Sequence, residues 1–569
     1  MAPPLKQALL DSDNDAETSS SSPLLPTANI SRNGPSGTTT KPSLYHRLKL
    51  DYLSTAALLV IVACWASGAG SSGESSSGKK SGSFPTNIGF EGPTPTGVEA
   101  FAAATAYPSY RDTSPIRPPS SLRNESFNIL DYLGNLSPWH TVNHGIDASA
   151  QVPAECKIEQ VQLLHRHGAR YPTTGAGPAE FAKNVVGREG FKGTGELAFL
   201  NDFEYKLGAE ILTPFGREQL FALGVSFRTK YGQLLDAPAL SSTAKRNLPV
   251  FRTESQDRMT KSSLNFAAGF FGIPYEEQYH QLITLEWPHY NNTLSPYMTC
   301  INANRPDLTV GPAKMNEWIS VYLTDAWKRL GKQVEGVQLT LRDVFNMQLM
   351  CAYELVALGG SEFCALFNED EWRGFEYAHD IQFWYIFSFG QPSQAALGLG
   401  WVQEWLARVT KQPIVEFNST TNSSYHTTEL FPLDQALYVD ATHDTIISAV
   451  LTTLNLTSFA SSGPLPSTHI PDNLSFVTSK ISPFAANLHS QIVSCGDERR
   501  VRWILNDGVV PLDNIKGCGK SSEGWCPLDA FVSAMIERTS SIRWEYDCLE
   551  PFELGSEPVL DGRPSSRLR

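Results

Sequence analysis

Between Leu163 and Gly175 the chain reads LLHRHGARYPTTG, which sets two histidines and two arginines within six residues, directly after an apolar run. Positive charge packed against a hydrophobic strand is costly unless it meets something negative. Arginine forks grip phosphate oxygens bidentately, so Arg166 and Arg170, placed around a turn, suit a phosphoryl group. Gly168 allows close backbone approach, and Pro172 stiffens the exit. His167 lies between the arginines. A neutral imidazole there can attack phosphorus and form a phosphohistidine that water later hydrolyses. The adjacent cations lower its pKa and keep it unprotonated.

Two later stretches offer partners. In NLPVFRTESQDR the expected strand ends at a third cation, Arg252, and Thr253 or Ser255 is placed to cap the following helix. That helix N-terminus adds anion affinity. In QALYVDATHDT the residues are His443 and Asp444. Departure of the leaving oxygen needs a proton, which a positioned carboxylic acid supplies. Asp444 fits that role, and His443 fits a further phosphate ligand. Taken singly, each has a plainer reading: a chance R-H-G triplet, a salt-bridged arginine, an isolated His-Asp pair. His165 and His167, two apart, would share a face if extended, but the flanking arginines repel a metal ion, so His165 reads as structural. No metal and no cofactor is expected.

These residues need a scaffold that brings them together. Each charged turn follows a strand pattern and precedes apolar residues at helical spacing: Met259, Phe266 and Phe270 after the second, Ile446, Ile447, Val450, Leu451 and Leu454 after the third. This predicts an α/β fold, a mainly parallel sheet flanked by helices, with all three turns at the carboxyl edge where ligands bind. Between about 280 and 430 the spacing becomes helical, as in VGPAKMNEWISVYLTDAWKRL and LTLRDVFNMQLMCAYELVAL, and predicts an inserted helical subdomain. RRVRWILNDGVVPL reads as a hairpin around Asp507-Gly508.

The formal net charge of −14 over 569 residues argues against nucleic acid as a partner. A locally positive pocket on an acidic protein suits a small phosphorylated substrate instead. Residues 1–48, rich in Ser, Pro, Asn and Thr, read as a disordered tail on the cytoplasmic side. Residues 49–70 hold the most apolar stretch and read as a signal anchor, a single-pass membrane segment with the catalytic body lumenal or extracellular; a cleaved secretory signal is the alternative. Residues 71–120 read as a Gly/Ser/Pro-rich stalk and 121–569 as the folded domain. Cys64 falls in the apolar stretch; eight cysteines follow it, an even number without zinc-module spacing, and read as disulfides of an oxidising compartment. Seven N-x-S/T triplets follow the apolar stretch, at Asn124, Asn135, Asn291, Asn418, Asn422, Asn455 and Asn473, against Asn29 alone before it, and are glycosylation candidates in the same setting.

RHGARYP, FRTESQDRM…NFAAGF, HDT and SPFAANL…WILNDGVVPL together resemble the histidine acid phosphatase family, its fungal phytase and acid phosphatase branch, over roughly residues 150 to 550. The resemblance implies an α/β domain with an inserted helical one and the active site between them. It implies His167 as nucleophile, Asp444 as proton donor, and Arg166, Arg170, Arg252 and His443 as phosphate ligands. It also implies the disulfides Cys156–Cys495, Cys300–Cys548, Cys351–Cys364 and Cys518–Cys526. RTESQDR departs from the Gly- or Ser-rich residues of many relatives, and Glu254 brings a negative charge that disfavours a heavily phosphorylated substrate. The expectation is a metal-independent acid phosphatase acting on phosphomonoesters, with phytate a candidate substrate. Rivals are a catalytically inactive phosphate- or inositol-phosphate-binding protein, a phosphate mutase, and a metal-dependent phosphatase, which would need clustered Asp and His ligands.

Overall fold

A computed structural model describes residues 116–123, 126–235 and 248–564. The expected tail, the apolar segment 49–70 and residues 71–115 of the expected stalk lie outside them, as does Asn124. Ile116, within the stretch read as stalk, is already part of the core, and the Arg117 amide donates to Gly359 O. Among the described residues no helix is long and apolar enough to cross a membrane.

The main strands are β1 (Cys156–Arg166), β2 (Val250–Glu254), β3 (His280–Thr284), β4 (Leu437–Thr442), β5 (Asn487–Cys495), β6 (Glu498–Leu505), β7 (Gly508–Val509) and β8 (Cys526–Pro527). They form one sheet in the order β8-β6-β5-β1-β4-β2-β3, with β7 on β6. The β1, β4, β2 and β3 neighbours are parallel. The other half is antiparallel. The sheet is therefore mixed, not mainly parallel: β5 and β6 form a long hairpin that closes one side. In the shorter β6–β7 hairpin Leu505 pairs with Gly508, so the turn residues are Asn506 and Asp507, both with positive φ. That is one residue earlier than the sequence pattern suggests, and it is the geometry of a two-residue hairpin turn.

Helices α1 (Pro214–Tyr231) and α2 (Asp257–Phe271) cover one face of the sheet. There Phe227, Phe266 and Phe270 pack on Val161, Leu163, Phe251 and Val439. The period-two alternation of β1 sends Leu164 to the opposite core. Five further helices are α3 (Gly311–Tyr322), α4 (Leu341–Leu358), α5 (Glu369–Phe387), α6 (Gln394–Thr410) and α7 (Asp444–Thr453). Their starts are set by local chemistry. Thr340 with Asp343, and Asn368 with Glu371, form reciprocal capping boxes for α4 and α5. Apolar side chains of α4 and α5 interlock through Phe345, Phe375 and His379. The stretch from 311 to 410 is thus helical, whereas 280–284 belongs to the sheet edge. All four disulfides that the family resemblance implies are formed.

Candidate active site

The parallel strands bring β1, β2 and β4 to one edge, with Arg166, Glu254 and Thr442 as their last residues. A cavity of about 250 Å³ opens there, with α4 and α5 supplying its far wall. His167, Arg170, His443 and Asp444 line it together. Sequence positions nearly three hundred residues apart thus share one floor, because β1 and β4 are direct neighbours, with Arg166 paired to Thr442.

His167 is buried, and its Nδ1 lies 2.8 Å from Gly168 O. A carbonyl only accepts, so Nδ1 carries the proton and Nε2 keeps its lone pair. Burial, followed by the charges of Arg166, Arg258, His443 and Arg170, holds the imidazole pKa well below 6.5. The ring is therefore neutral at the acidic pH where a phosphomonoester carries few charges, the state a nucleophile needs. Gly168 serves a different neighbour from the one expected: a Cβ there would lie 2.0 Å from Gly216 O. Its missing side chain seats α1 against the loop, and the loop in turn fixes His167.

Arg166 lies fully buried beneath the floor. Its guanidinium donates to the carbonyls of Asn135 and Ser482, pairs with Asp444 Oδ2 at 2.7 Å and lies over the Phe484 ring. Burial pulls its pKa down to about 10, still far above any working pH. Asp444 Oδ2 also accepts from Asn135 Nδ2 at 2.9 Å, and Oδ1 accepts from the Thr445 amide. Burial would raise the carboxyl pKa, but Arg166, Asn135, His443 and Arg170 outweigh it and hold it below its usual value. Asn135, a glycosylation candidate by sequence, thus has its amide nitrogen committed inside the site.

Arg252 is not at the cavity. Strand β2 runs on through Glu254, so Arg252 sits within the sheet, opposite Asp440 of β4. It donates to Asp440 at 2.7 and 2.8 Å and to Glu404 of α6 at 2.7 Å, and Arg408 shares Asp440. This is a buried structural ion-pair network. The arginine that RTESQDR delivers to the cavity is Arg258, six residues later in the first turn of α2. Burial lowers its pKa, and Nη1 pairs with Glu210 at 3.2 Å. The buried Nε–H groups of Arg166, Arg170 and Arg258 donate to no acceptor among the described residues. Three such donors around one histidine are the mark of an anion site. Neither Thr253 nor Ser255 caps α2. Its N-cap position is Gln256, and Ser255 Oγ accepts from the Glu286 amide instead.

Behind His443 lie two carboxylates. Its Nε2 is 2.7 Å from Glu254 and 3.7 Å from Glu286. Burial opposes the imidazolium, but the two acids outweigh it and push the His443 pKa up to about 9. Glu286 accepts from Tyr297 and Gln256, whereas Glu254 has no donor besides His443 among the described residues. Burial and the neighbouring Glu286 accordingly push Glu254 well up, and the pair shares one proton and one negative charge. The three ligand-type atoms lie within 4.8 Å of one another, and a cation there would have to displace the imidazolium proton. This is an ion-pair cluster. His165 stacks on Phe266, and burial pulls its pKa down to about 4; its place is structural.

Comparison with known proteins agrees with this geometry. A family model described as the histidine phosphatase superfamily, branch 2, matches residues 157–506. The chain is similar to Phytase A of Aspergillus oryzae, 29% identical over 459 residues, covering 75% of this chain and 95% of the relative. It is 30% identical to Phytase A of Aspergillus fumigatus, covering 72% and 89%. The crystal structure of the phytase from D. castellii superposes with a TM-score of 0.63 at 28% identity, covering 78% of this chain and 92% of that one. A Bifidobacterium longum multiple inositol polyphosphate phosphatase shares the fold at 13% identity, with a TM-score of 0.52 and coverage of 71% and 97%.

Proposed function

The chain belongs to the histidine phosphatase superfamily, branch 2, a family of phosphomonoester hydrolases, and we propose that His167 Nε2 is its nucleophile and Asp444 its proton donor. A phosphomonoester would place its phosphoryl oxygens among Arg170, Arg258, His443 and, from below, Arg166. Nε2 attacks phosphorus as the ester P–O bond breaks, and the leaving oxygen takes a proton from Asp444. Water then attacks the phosphohistidine, returns a proton to Asp444 and releases inorganic phosphate. The ion pair of Arg166 with Asp444 couples binding to chemistry. An incoming phosphoryl oxygen competes for the same guanidinium, and a carboxyl losing its counter-ion regains a higher pKa and can hold the proton it must give.

The observation that carries this reading is the contact of His167 Nδ1 with Gly168 O, which leaves Nε2 its lone pair, beside three buried arginine Nε–H groups without acceptors among the described residues. Its test is phosphate release from an aryl phosphate and from phytate between about pH 3 and 7, with chelator present, beside His167→Ala. Chelator-resistant acid activity that vanishes in the variant is expected; no release by folded, disulfide-bonded protein would leave a phosphate-binding role instead. For the remainder of the chain we propose a lumenal or extracellular body carried on a stalk behind a single-pass anchor at 49–70. Four disulfides support that placement, as do the exposed sequon residues Asn418 and Asn473.

A further inference from the structure

The cavity beyond the phosphoryl cradle has a character of its own. Among the described residues its cations are Arg170, Arg258, Arg342 and His443, its carboxylates are Asp444 and Glu180, and no lysine lines it. The neutral histidines add nothing, since burial holds His167 well below 6.5 and His379 at about 4. With Arg166, which lies below the cradle and pairs with Asp444, five cations stand against two carboxylates and leave a net charge of about +3, enough for one phosphoryl dianion with little to spare. Even that surplus is reduced, because Glu254 and Glu286 lie behind His443 and Glu210 pairs with Arg258. Away from the cradle the only cation among the described lining residues is Arg342, which already donates to Asn316 and lies over the Phe345 ring. The wall facing His167 is otherwise uncharged: Met315, Phe345, Leu349 and Phe383 of α3, α4 and α5 supply its apolar part, and Asn346 and Gln382 its polar part.

We propose that the preferred substrate is a monoester carrying a single phosphoryl group on an uncharged, apolar leaving group, of aromatic or comparable bulk, and not a polyphosphorylated inositol. The inference rests on the phosphatase reading above and names its leaving group. An inositol hexakisphosphate carries five phosphates beyond the one under attack, each with a charge of about −1 to −2 in the acid to neutral range. Seating several of them against that uncharged wall strips water from charges that meet no cation there but Arg342, which is strongly unfavourable. An aromatic ring, by contrast, gains buried area and edge contacts with Phe345 and Phe383. The single negative charge that Glu254 and Glu286 hold behind His443 acts in the same direction at the cradle itself.

The test is steady-state kcat/KM of the purified full-length protein at pH 5 for 1-naphthyl phosphate, glycerol 2-phosphate and phytate. The expected order is 1-naphthyl phosphate first, by about tenfold or more over each of the others. Leu349→Lys should raise phytate relative to 1-naphthyl phosphate by about tenfold while leaving inhibition by inorganic phosphate unchanged. Phe383→Leu, which keeps an apolar side chain in a buried position, should lower kcat/KM for 1-naphthyl phosphate several-fold and not for glycerol 2-phosphate. Phytate turned over as well as or better than 1-naphthyl phosphate would overturn the proposal, as would a ratio insensitive to Leu349→Lys. Folded protein inactive on all three esters would overturn the phosphatase reading beneath it, a distinct result.

Discussion

Replacing both acids behind His443, Glu254→Gln with Glu286→Gln, separates a shared charge from two independent ones. The imidazole pKa stands at about 9 against 6.5, which amounts to about 3 kcal/mol favouring the charged form. That figure is a sum over both carboxylates, since the cluster is buried and the pair holds one negative charge between them. Either single variant leaves that charge in place: Glu286 keeps it when Glu254 is lost, and Glu254 gives up its proton when Glu286 is lost. Each should change the inhibition constant for inorganic phosphate by less than about threefold. The double variant leaves burial unopposed, so the His443 pKa falls below 6.5. Of its other neighbours, Arg258 and His167 offer no negative charge, Tyr297 stays protonated through the pH range because burial raises it, and Asp444 is committed to Arg166. Phosphate affinity should then weaken by about tenfold between pH 5 and 7 in the double variant and stay nearly flat in the wild type. Stability follows the same linkage. A raised folded-state pKa stabilises fully below pH 6.5 and loses that contribution as pH rises through about 9, so the deficit of the double variant, read by thermal melting, should be largest at acidic pH. Single variants as damaging as the double, or a double variant with an unchanged pH profile, would refute the shared-charge account.

Asp444→Asn should lower kcat by about 10²–10⁴ for alkyl phosphates and far less for 4-nitrophenyl phosphate, whose leaving group needs no proton; equal losses on both would remove Asp444 from the donor role. Arg258→Ala should raise KM and the phosphate inhibition constant tenfold or more in protein with a near-normal melting temperature. Arg252→Ala should do the reverse: it breaks a buried pair with Asp440 and Glu404 and should cost about 3–5 kcal/mol of stability, with phosphate affinity retained in whatever protein folds. Peptide mass mapping after enzymatic deglycosylation should show occupancy at Asn418 and Asn473, which are exposed, and none at Asn135, whose amide nitrogen serves Asp444.

The contrast between Arg252 and Arg258 shows where sequence reasoning lost its footing. Both arginines stand in RTESQDR, and the charged run marked them equally. The deciding fact is where the strand stops, and a run of polar residues conceals it. Arg252, Thr253 and Glu254 continue β2 because the neighbouring strands satisfy their backbone groups, and the Arg252 charge is met by Asp440 of β4 and Glu404 of α6, 188 and 152 residues away in the chain. Only distant residues make such a polar strand tolerable, so no local pattern announces it. His167, His443 and Asp444 were legible because each lies just past an apolar strand pattern that runs only two residues further, to Arg166 and to Thr442. Asn135 and Glu286 carried no signal, since an Asn within a sequon and a Glu in a loop have commoner uses than holding catalytic groups. The antiparallel half of the sheet was hidden likewise: β5 is buried on both faces, so it lacks the alternation that marks a hairpin.

The same reasoning bears on the proton donor. Asp444 follows a strand that is apolar up to Val439, yet its behaviour depends on Arg166, Asn135 and Glu376. Glu376 accepts from the Gly134 amide at 2.5 Å and from the Ser479 amide at 2.9 Å, tying to α5 both the 3₁₀ turn Gly134–Leu136 and the segment leading to Ser482, the second carbonyl on Arg166. Helix α5 also supplies Phe383 and Phe387 to the cavity wall. One helix therefore anchors the loop that orients the proton donor and shapes the space for the leaving group that receives the proton. A substitution on α5 that tilts its cavity face, such as a bulkier residue at Gly374, where a Cβ would meet the Tyr322 ring at 2.2 Å, should change leaving-group preference and the acid limb of kcat together. Changes at Leu349 on α4 should move the first without the second, because no bond from Leu349 reaches Asn135 or Asp444.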